Sequence, residues 1–209
     1  MIRIDPKTTA CVTIDMHRGH LDPAVATLPL PAERCGPVIE RSAKLFDALR
    51  RRHVPIVHVV TEYRDPDEIK ANPFWHGEPG DNRPKMRQGA FTHNLVGSRG
   101  TEIIPDLLRD GDHVVHGKKR YSPYLGTDLL FLLKSRLGVG TLILAGINTT
   151  SCVLCCAFES TNLDFKVVIA SDAVDTMDGP EMHRFALDLM GRTVGWPMTN
   201  DEIAKALAA

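Results

Sequence analysis

The stretch TLILAGINTTSCVLCCAFEST, Thr141–Thr161, joins two unlike patterns. Thr141–Gly146 is an unbroken apolar run, the pattern of a strand covered on both faces. After a polar turn, Cys152 opens a segment that reads as helical and holds three cysteines within five residues. The strand–helix step sets the expected fold, and the thiols raise the question of function.

The same alternation extends in both directions. Upstream, ACVTID (Ala10–Asp15) reads as a buried strand ending at an acid. From Glu33 to Arg52 the residues Val38, Ile39, Leu45, Phe46 and Leu49 fall near helical spacing. VPIVHVVTEY (Val54–Tyr63) is a second strand and DHVVHG (Asp112–Gly117) a third. TDLLFLLKSRLG (Thr127–Gly138) reads as a helix stopped by glycine. Downstream, KVVIASDA (Lys166–Ala173) is another strand, and PEMHRFALDLMG (Pro180–Gly191) is a helix with proline at its start and glycine at its end. A short strand near Thr193–Thr199 leads into a C-terminal helix, Asp201–Ala209. Continuous apolar strands separated by helices predict an α/β protein with a parallel sheet covered on both faces. In such sheets functional groups gather beyond the carboxyl ends of the strands.

With 209 residues, residues 1–209 are expected to form a single domain. The segment at about 64–100 breaks the alternation: it is rich in Pro, Gly, Asn and charge and holds Phe74, Trp75 and His76. So long a loop in a compact domain points to function, here a lid, against a plain surface excursion. Hydrophobic residues at 43%, charged residues at 24% and a net charge of -1 leave no basic excess for nucleic acid or an anionic membrane. Arg50, Arg51 and Arg52 end a helix, where cations meet the negative pole of its dipole. Neither a secretion signal nor a membrane-spanning apolar run is read, and five cysteines, an odd number, argue for reduced thiols in a cytoplasmic protein.

Asp15 closes the first strand, Lys118 lies just past the third, and Cys152 lies six residues past Gly146. All three would project from one edge of the sheet. A thiolate at a helix N-terminus beside an ammonium can attack a carbonyl carbon, and a nearby carboxylate can take and return the thiol proton. A packed thiol, a capping aspartate and a solvated lysine fit the same spacing, and Lys119 could serve in place of Lys118. Cys152 and Cys155 are formally a C-x-x-C pair, but redox motifs of that kind sit near the first strand–helix unit. A zinc site would want a second ligand pair at convincing spacing. Cys155 and Cys156, one helical turn on, read as small buried side chains. GKK is not a phosphate loop, since Asp112 and Lys119 stand where Gly and Ser or Thr are needed.

Three blocks together resemble the isochorismatase-like cysteine hydrolases, relatives of N-carbamoylsarcosine amidohydrolase and nicotinamidase. They are VTIDMHRGHLDP (Val12–Pro23), HGKKRYSPYLGTDL (His116–Leu129) and LILAGINTTSCV (Leu142–Val153). GSRGTEIIPDLL (Gly97–Leu108) and VVIASDAVDT (Val167–Thr176) are similar too, so the resemblance spans nearly the whole chain. It implies a three-layer α/β/α sandwich with a six-stranded, mainly parallel, Rossmann-like sheet, assembled as a homodimer or homotetramer. It implies a catalytic triad of Asp15, Lys118 and Cys152, and a cis peptide at Ile147–Asn148 that turns the Asn148 N–H toward an oxyanion shared with the Cys152 N–H.

The implied activity is hydrolysis of a non-peptide C–N bond in a small amide, carbamoyl or ureide compound through a thioester. The alternatives are an isochorismatase-type vinyl ether hydrolase, which needs the aspartate but lacks the cysteine, and a catalytically silent binding module. His20, Trp75 and Tyr124 are expected to bind substrate, with His20 in place of the family's usual aromatic making the pocket more polar. Nicotinamidases carry an Asp/His metal cluster after the second strand; TEYRDPDEIKANPFWHGEP (Thr61–Pro79) has no Asp-x-His. His17 and His20, three apart, fall short of a ligand set, so no metal or cofactor is expected.

Overall fold

Six strands form one sheet in the computed structural model, which describes residues 2–76 and 90–208. They are β1 (Thr9–Ile14), β2 (Ile56–Thr61), β3 (His113–Lys118), β4 (Thr141–Ile147), β5 (Lys166–Asp175) and β6 (Trp196–Met198). Every pairing is parallel and the order is β3-β2-β1-β4-β5-β6. The sheet is thus wholly parallel, where sequence reading expected mainly parallel strands. Chain order reverses at β1, so β1 and β4 are neighbours at the switch point where such sheets bind ligands. β1, β2 and β4 are buried at every position, which is why they read as unbroken apolar runs.

Helices are α1 (Arg18–Leu21), α2 (Ala32–Arg50), α3 (Pro66–Lys70), α4 (Pro73–His76), α5 (Leu129–Phe131), α6 (Cys152–Asn162), α7 (Pro180–Thr193) and α8 (Asn200–Ala208). Alternate strand residues serve opposite layers, as the two-residue period of a strand requires. On one face Cys11, Ile56, Ile143 and Val168 pack with Leu45, Phe46 and Leu49 of α2 and Ile203 of α8. On the other, Val12, Val57, Leu144 and Ile169 pack with Leu133, Val153, Ala157 and Met190. The three-layer α/β/α sandwich follows. None of the described helices is long and apolar enough to cross a membrane.

Two expectations change. The Thr127–Gly138 segment is not one helix: α5 is a single turn continued by a π-helical turn, Leu132–Arg136. Leu129 and Leu133 are buried there, while Phe131 faces outward. The segment at about 64–100 is not simply a loop. Asp65 Oδ1 accepts the Asp67 and Glu68 N–H groups, and Pro66 presets the first turn, so α3 forms. Trp75 of α4 packs with Tyr63 and Ile69. The expected lid falls partly on residues 77–89, outside the described residues.

Candidate active site

Asp15, the residue after β1, sits in the left-handed region at φ 54, a conformation that aspartate tolerates better than most. Its neighbour across the sheet edge is β4, where Ile14 pairs with Gly146. Gly146 has φ +123, and a Cβ there would lie 2.1 Å from the Ile14 carbonyl oxygen. Only glycine allows the two strand ends to come so close. The register of β4 against β5 shifts between Leu144 and Gly146, and that of β2 against β3 between Val59 and Thr61. Such irregularities re-aim side chains at a sheet rim.

Lys118 ends β3, two strands away from β1, roughly 10 Å across the sheet at the usual strand spacing. Its long side chain spans that gap. Nζ donates to Asp15 Oδ2 at 2.6 Å, to Thr61 Oγ1 at 2.8 Å and to Cys152 Sγ at 3.4 Å. Thr61, which pairs with Lys118 across β2 and β3, gives Asp15 Oδ1 its backbone N–H at 3.0 Å and its hydroxyl at 2.7 Å. Asp15, Lys118 and Thr61 are fully buried, and Cys152 is 1% exposed. Burial by itself would raise the Asp15 pKa; the Lys118 ammonium, and then His17, instead hold it well below the usual carboxylate range. The carboxylate is therefore ionised.

Cys152 is the first residue of α6, at the positive pole of an eleven-residue helix. The preceding turn is closed by the Ser151 and Val153 N–H groups, both donating to the Asn148 carbonyl. The Ile147–Asn148 peptide is cis. The Asn148 side chain accepts the Met177 N–H at 3.0 Å. Cys156 packs in the core beside Ser160, and Cys155, half-buried, faces Glu159. Burial pushes both thiols up to about 12.

The structure thus brings together Asp15, Lys118 and Cys152, with Asn148 four residues before the cysteine. His20 is buried nearby in a different setting, stacked on His17 with ring centroids 4.8 Å apart, and His17 Nε2 lies 3.6 Å from Asp15 Oδ1. Trp75 is buried, and its indole N–H donates to the Tyr121 hydroxyl at 3.0 Å. Tyr124 packs against the apolar cluster that includes Cys152, and its hydroxyl bonds Ser160 at 2.7 Å.

Two site residues escape sequence reading. Thr61 carried one usable signal: it ends a strand at the edge where the acid and lysine also end. His93, whose ring lies 4.9 Å from that of His20, carried none, because only folding brings it 73 residues back along the chain.

Residues 9–202 match the isochorismatase domain family. The ureidoacrylate amidohydrolase RutB of Methylobacterium radiotolerans is 27% identical over 202 residues, covering 93% of this chain and 78% of the relative. An isochorismatase family protein from Burkholderia thailandensis superposes with a TM-score of 0.78 at 26% identity, each chain covered in full. The N-carbamoylsarcosine amidase of Thermoplasma acidophilum has the same fold, with a TM-score of 0.70 at 22% identity over 93% of this chain and 98% of its own. A match running from β1 into α8, on a wholly parallel sheet with an acid, a lysine and a cysteine at its carboxyl edge, makes this chain a member of the isochorismatase family.

Proposed function

We propose that the protein is a cysteine hydrolase that cleaves a non-peptide C–N bond of a small amide, carbamoyl or ureide compound. The observation that carries the reading is the Lys118 ammonium, which contacts both the Asp15 carboxylate and the Cys152 sulfur. That contact favours negative charge on sulfur and keeps the acid beside it. The relationship to RutB, an amidohydrolase of a ureide, supports the substrate class.

In the proposed reaction Asp15 takes the Cys152 proton and the sulfur attacks the carbonyl carbon. The oxyanion is received by the N–H groups of Asn148 and Cys152 at the positive end of α6. Collapse of the tetrahedral intermediate expels ammonia or an amine, which takes the proton from Asp15, and leaves a thioester. Asp15 then deprotonates water, which adds to the thioester. The carboxylic or carbamic acid departs and the proton returns to sulfur. Lys118 offsets the Asp15 charge at each stage, and Thr61 orients both groups.

His20, Trp75 and Tyr124 are proposed to shape the substrate pocket. All five cysteines are free thiols, which supports work in the reducing cytoplasm. The apolar side chains of Leu125, Phe131 and Phe185 on the surface support assembly as a homodimer or homotetramer. The test is ammonia release from a panel of small amides and ureides. At least one should be hydrolysed, and Cys152→Ala should abolish turnover while leaving the fold intact. An alanine variant that still releases ammonia refutes the scheme; no release from any panel member would instead favour a vinyl ether hydrolase, which needs Asp15 but not the thiol.

A further inference from the structure

His17, His20 and His93 converge beside the proposed triad, all three buried, with one ring nitrogen from each within 4.8 Å of the others. Their ring centroids lie 4.8, 4.9 and 5.8 Å apart. Imidazoles gathered in the interior are either packed neutral groups or the ligands of an ion, and their surroundings distinguish the two. Metal-binding histidines characteristically have the opposite ring nitrogen tied to a protein group that fixes the tautomer.

Two adjacent residues do this here. The Leu28 carbonyl receives a hydrogen bond from His20 Nδ1 at 2.6 Å, and the Thr27 hydroxyl bonds His93 Nδ1 at 2.8 Å. A carbonyl can only accept, so the proton of a neutral His20 is on Nδ1 and its lone pair on Nε2. His17 Nε2 points the same way, facing the Asn94 amide N–H at 2.9 Å and the Asp15 carboxylate at 3.6 Å. An ion would take the place of that N–H.

The backbone is built to allow the gathering. A Cβ on Gly19 would lie 1.9 Å from Asn94 Oδ1, so only glycine lets the segment bearing His17 and His20 approach the turn bearing His93. Asn94 itself sits at φ 48 and anchors that segment by donating to the Thr61 carbonyl at 2.8 Å.

From this geometry we propose that His17, His20 and His93 bind one divalent transition-metal ion of the imidazole-preferring kind, with zinc or cobalt as suitable probes. Zinc–nitrogen bonds of about 2.1 Å at tetrahedral angles bring ligand nitrogens to about 3.4 Å, so modest ring rotations close the site. Three protein ligands leave an exchangeable position, unlike the four of a closed structural site. With His17 Nε2 3.6 Å from Asp15, that position would border the carboxylate. It suits a nitrogen or oxygen lone pair of a small substrate. Only this last assignment rests on the hydrolase reading.

The experiment uses the full chain, stripped of metal by a chelator and titrated with Co2+. One ion per chain should bind with visible d–d absorption, be displaced by Zn2+, and change its spectrum on adding azide, a small lone-pair donor. Thr27→Val, which removes only the hydroxyl bonded to His93 Nδ1, should weaken binding about 10–100-fold. His20→Asn and His93→Asn should abolish it. Should those two variants fail to fold, the wild type decides, because bound Co2+ must shift the histidine ring-proton resonances in its NMR spectrum. Absence of stoichiometric binding, or undiminished binding in Thr27→Val and both histidine variants, overturns the proposal. A spectrum insensitive to azide overturns the exchangeable position. Cys152→Ser should bind the ion as the wild type does, so failure of the cysteine chemistry and failure of the metal site are separate results.

Discussion

Lys118 Nζ and Asp15 Oδ2 lie 2.6 Å apart with both side chains sealed from solvent. A pair buried this deeply gains little over an apolar replacement of the same shape, yet loss of one member strands the other's charge. Lys118→Met and Asp15→Asn are each expected to lower stability by about 3–5 kcal/mol. The double variant should lose much less than the sum. Denaturant unfolding of the four proteins measures this, and additive losses would show that the two charges do not depend on each other.

Thiol reactivity separates the proposed nucleophile from its neighbours. Burial raises the pKa of Cys11 and Cys35, and takes Cys155 and Cys156 up to about 12. These four thiols should label slowly at neutral pH, whereas Cys152, with an ammonium 3.4 Å from its sulfur, should react first with iodoacetamide. A substrate found in the ammonia-release panel should protect it. Peptide mass spectrometry reads the order, and equal slow labelling of all five would favour a non-catalytic binding module. A Cys152–Cys155 disulfide under mild oxidation would instead favour dithiol chemistry.

Acid should unfold the protein partly through Asp112, at the opposite end of the sheet. Burial works to raise its pKa, but hydrogen bonds from His58, Arg50 and the Arg109 N–H hold it at about 2. A depressed carboxylate contributes stability above its unfolded pKa of about 3.9, and that contribution fades as pH falls toward the folded value. Asp112→Asn should therefore be about 2 kcal/mol less stable than wild type at pH 7. The gap should close between about pH 4 and pH 2, as urea midpoints across that range would show. A constant gap would mean the loss comes from packing rather than charge.

Which parts of this molecule could be read from its chain follows from what local pattern encodes. β1, β2 and β4 are buried on both faces, so their apolar runs carried their own identity. The start of α7, with Pro180 at its first position, was equally local. Asp15, Lys118 and Cys152 were legible as strand-end residues, and the family blocks chose Lys118 over Lys119. Lys119 instead pairs with Glu68 on the surface side. Strand order was not legible from period alone, and strand order decides what meets what. Because β2 lies between β3 and β1, Thr61 stands between lysine and aspartate. His93 is placed by Asn94, whose side chain bonds the end of β2, a contact with no counterpart in sequence spacing.

Thr61 offers the sharpest test of how the site is organised. Its hydroxyl donates to Asp15 and accepts from Lys118, while its backbone N–H holds the same carboxylate oxygen. Thr61→Val keeps the shape and the backbone bond but removes the hydroxyl from both charged groups. Each hydrogen bond to a charge contributes roughly 1.5–3 kcal/mol, so stability should fall by about that amount. Turnover should fall by about tenfold or more on the same energy scale, since 1.4 kcal/mol is one decade in rate. A merely structural threonine would lower stability and leave the pH profile alone. Here the carboxylate loses one of the donors that favour its charged form, so the acid limb of kcat/KM should move to higher pH. Thr61→Ser, which restores the hydroxyl, should return that limb to its wild-type position. A pH profile unchanged in Thr61→Val would show that Lys118, His17 and the Thr61 N–H suffice to keep Asp15 ionised.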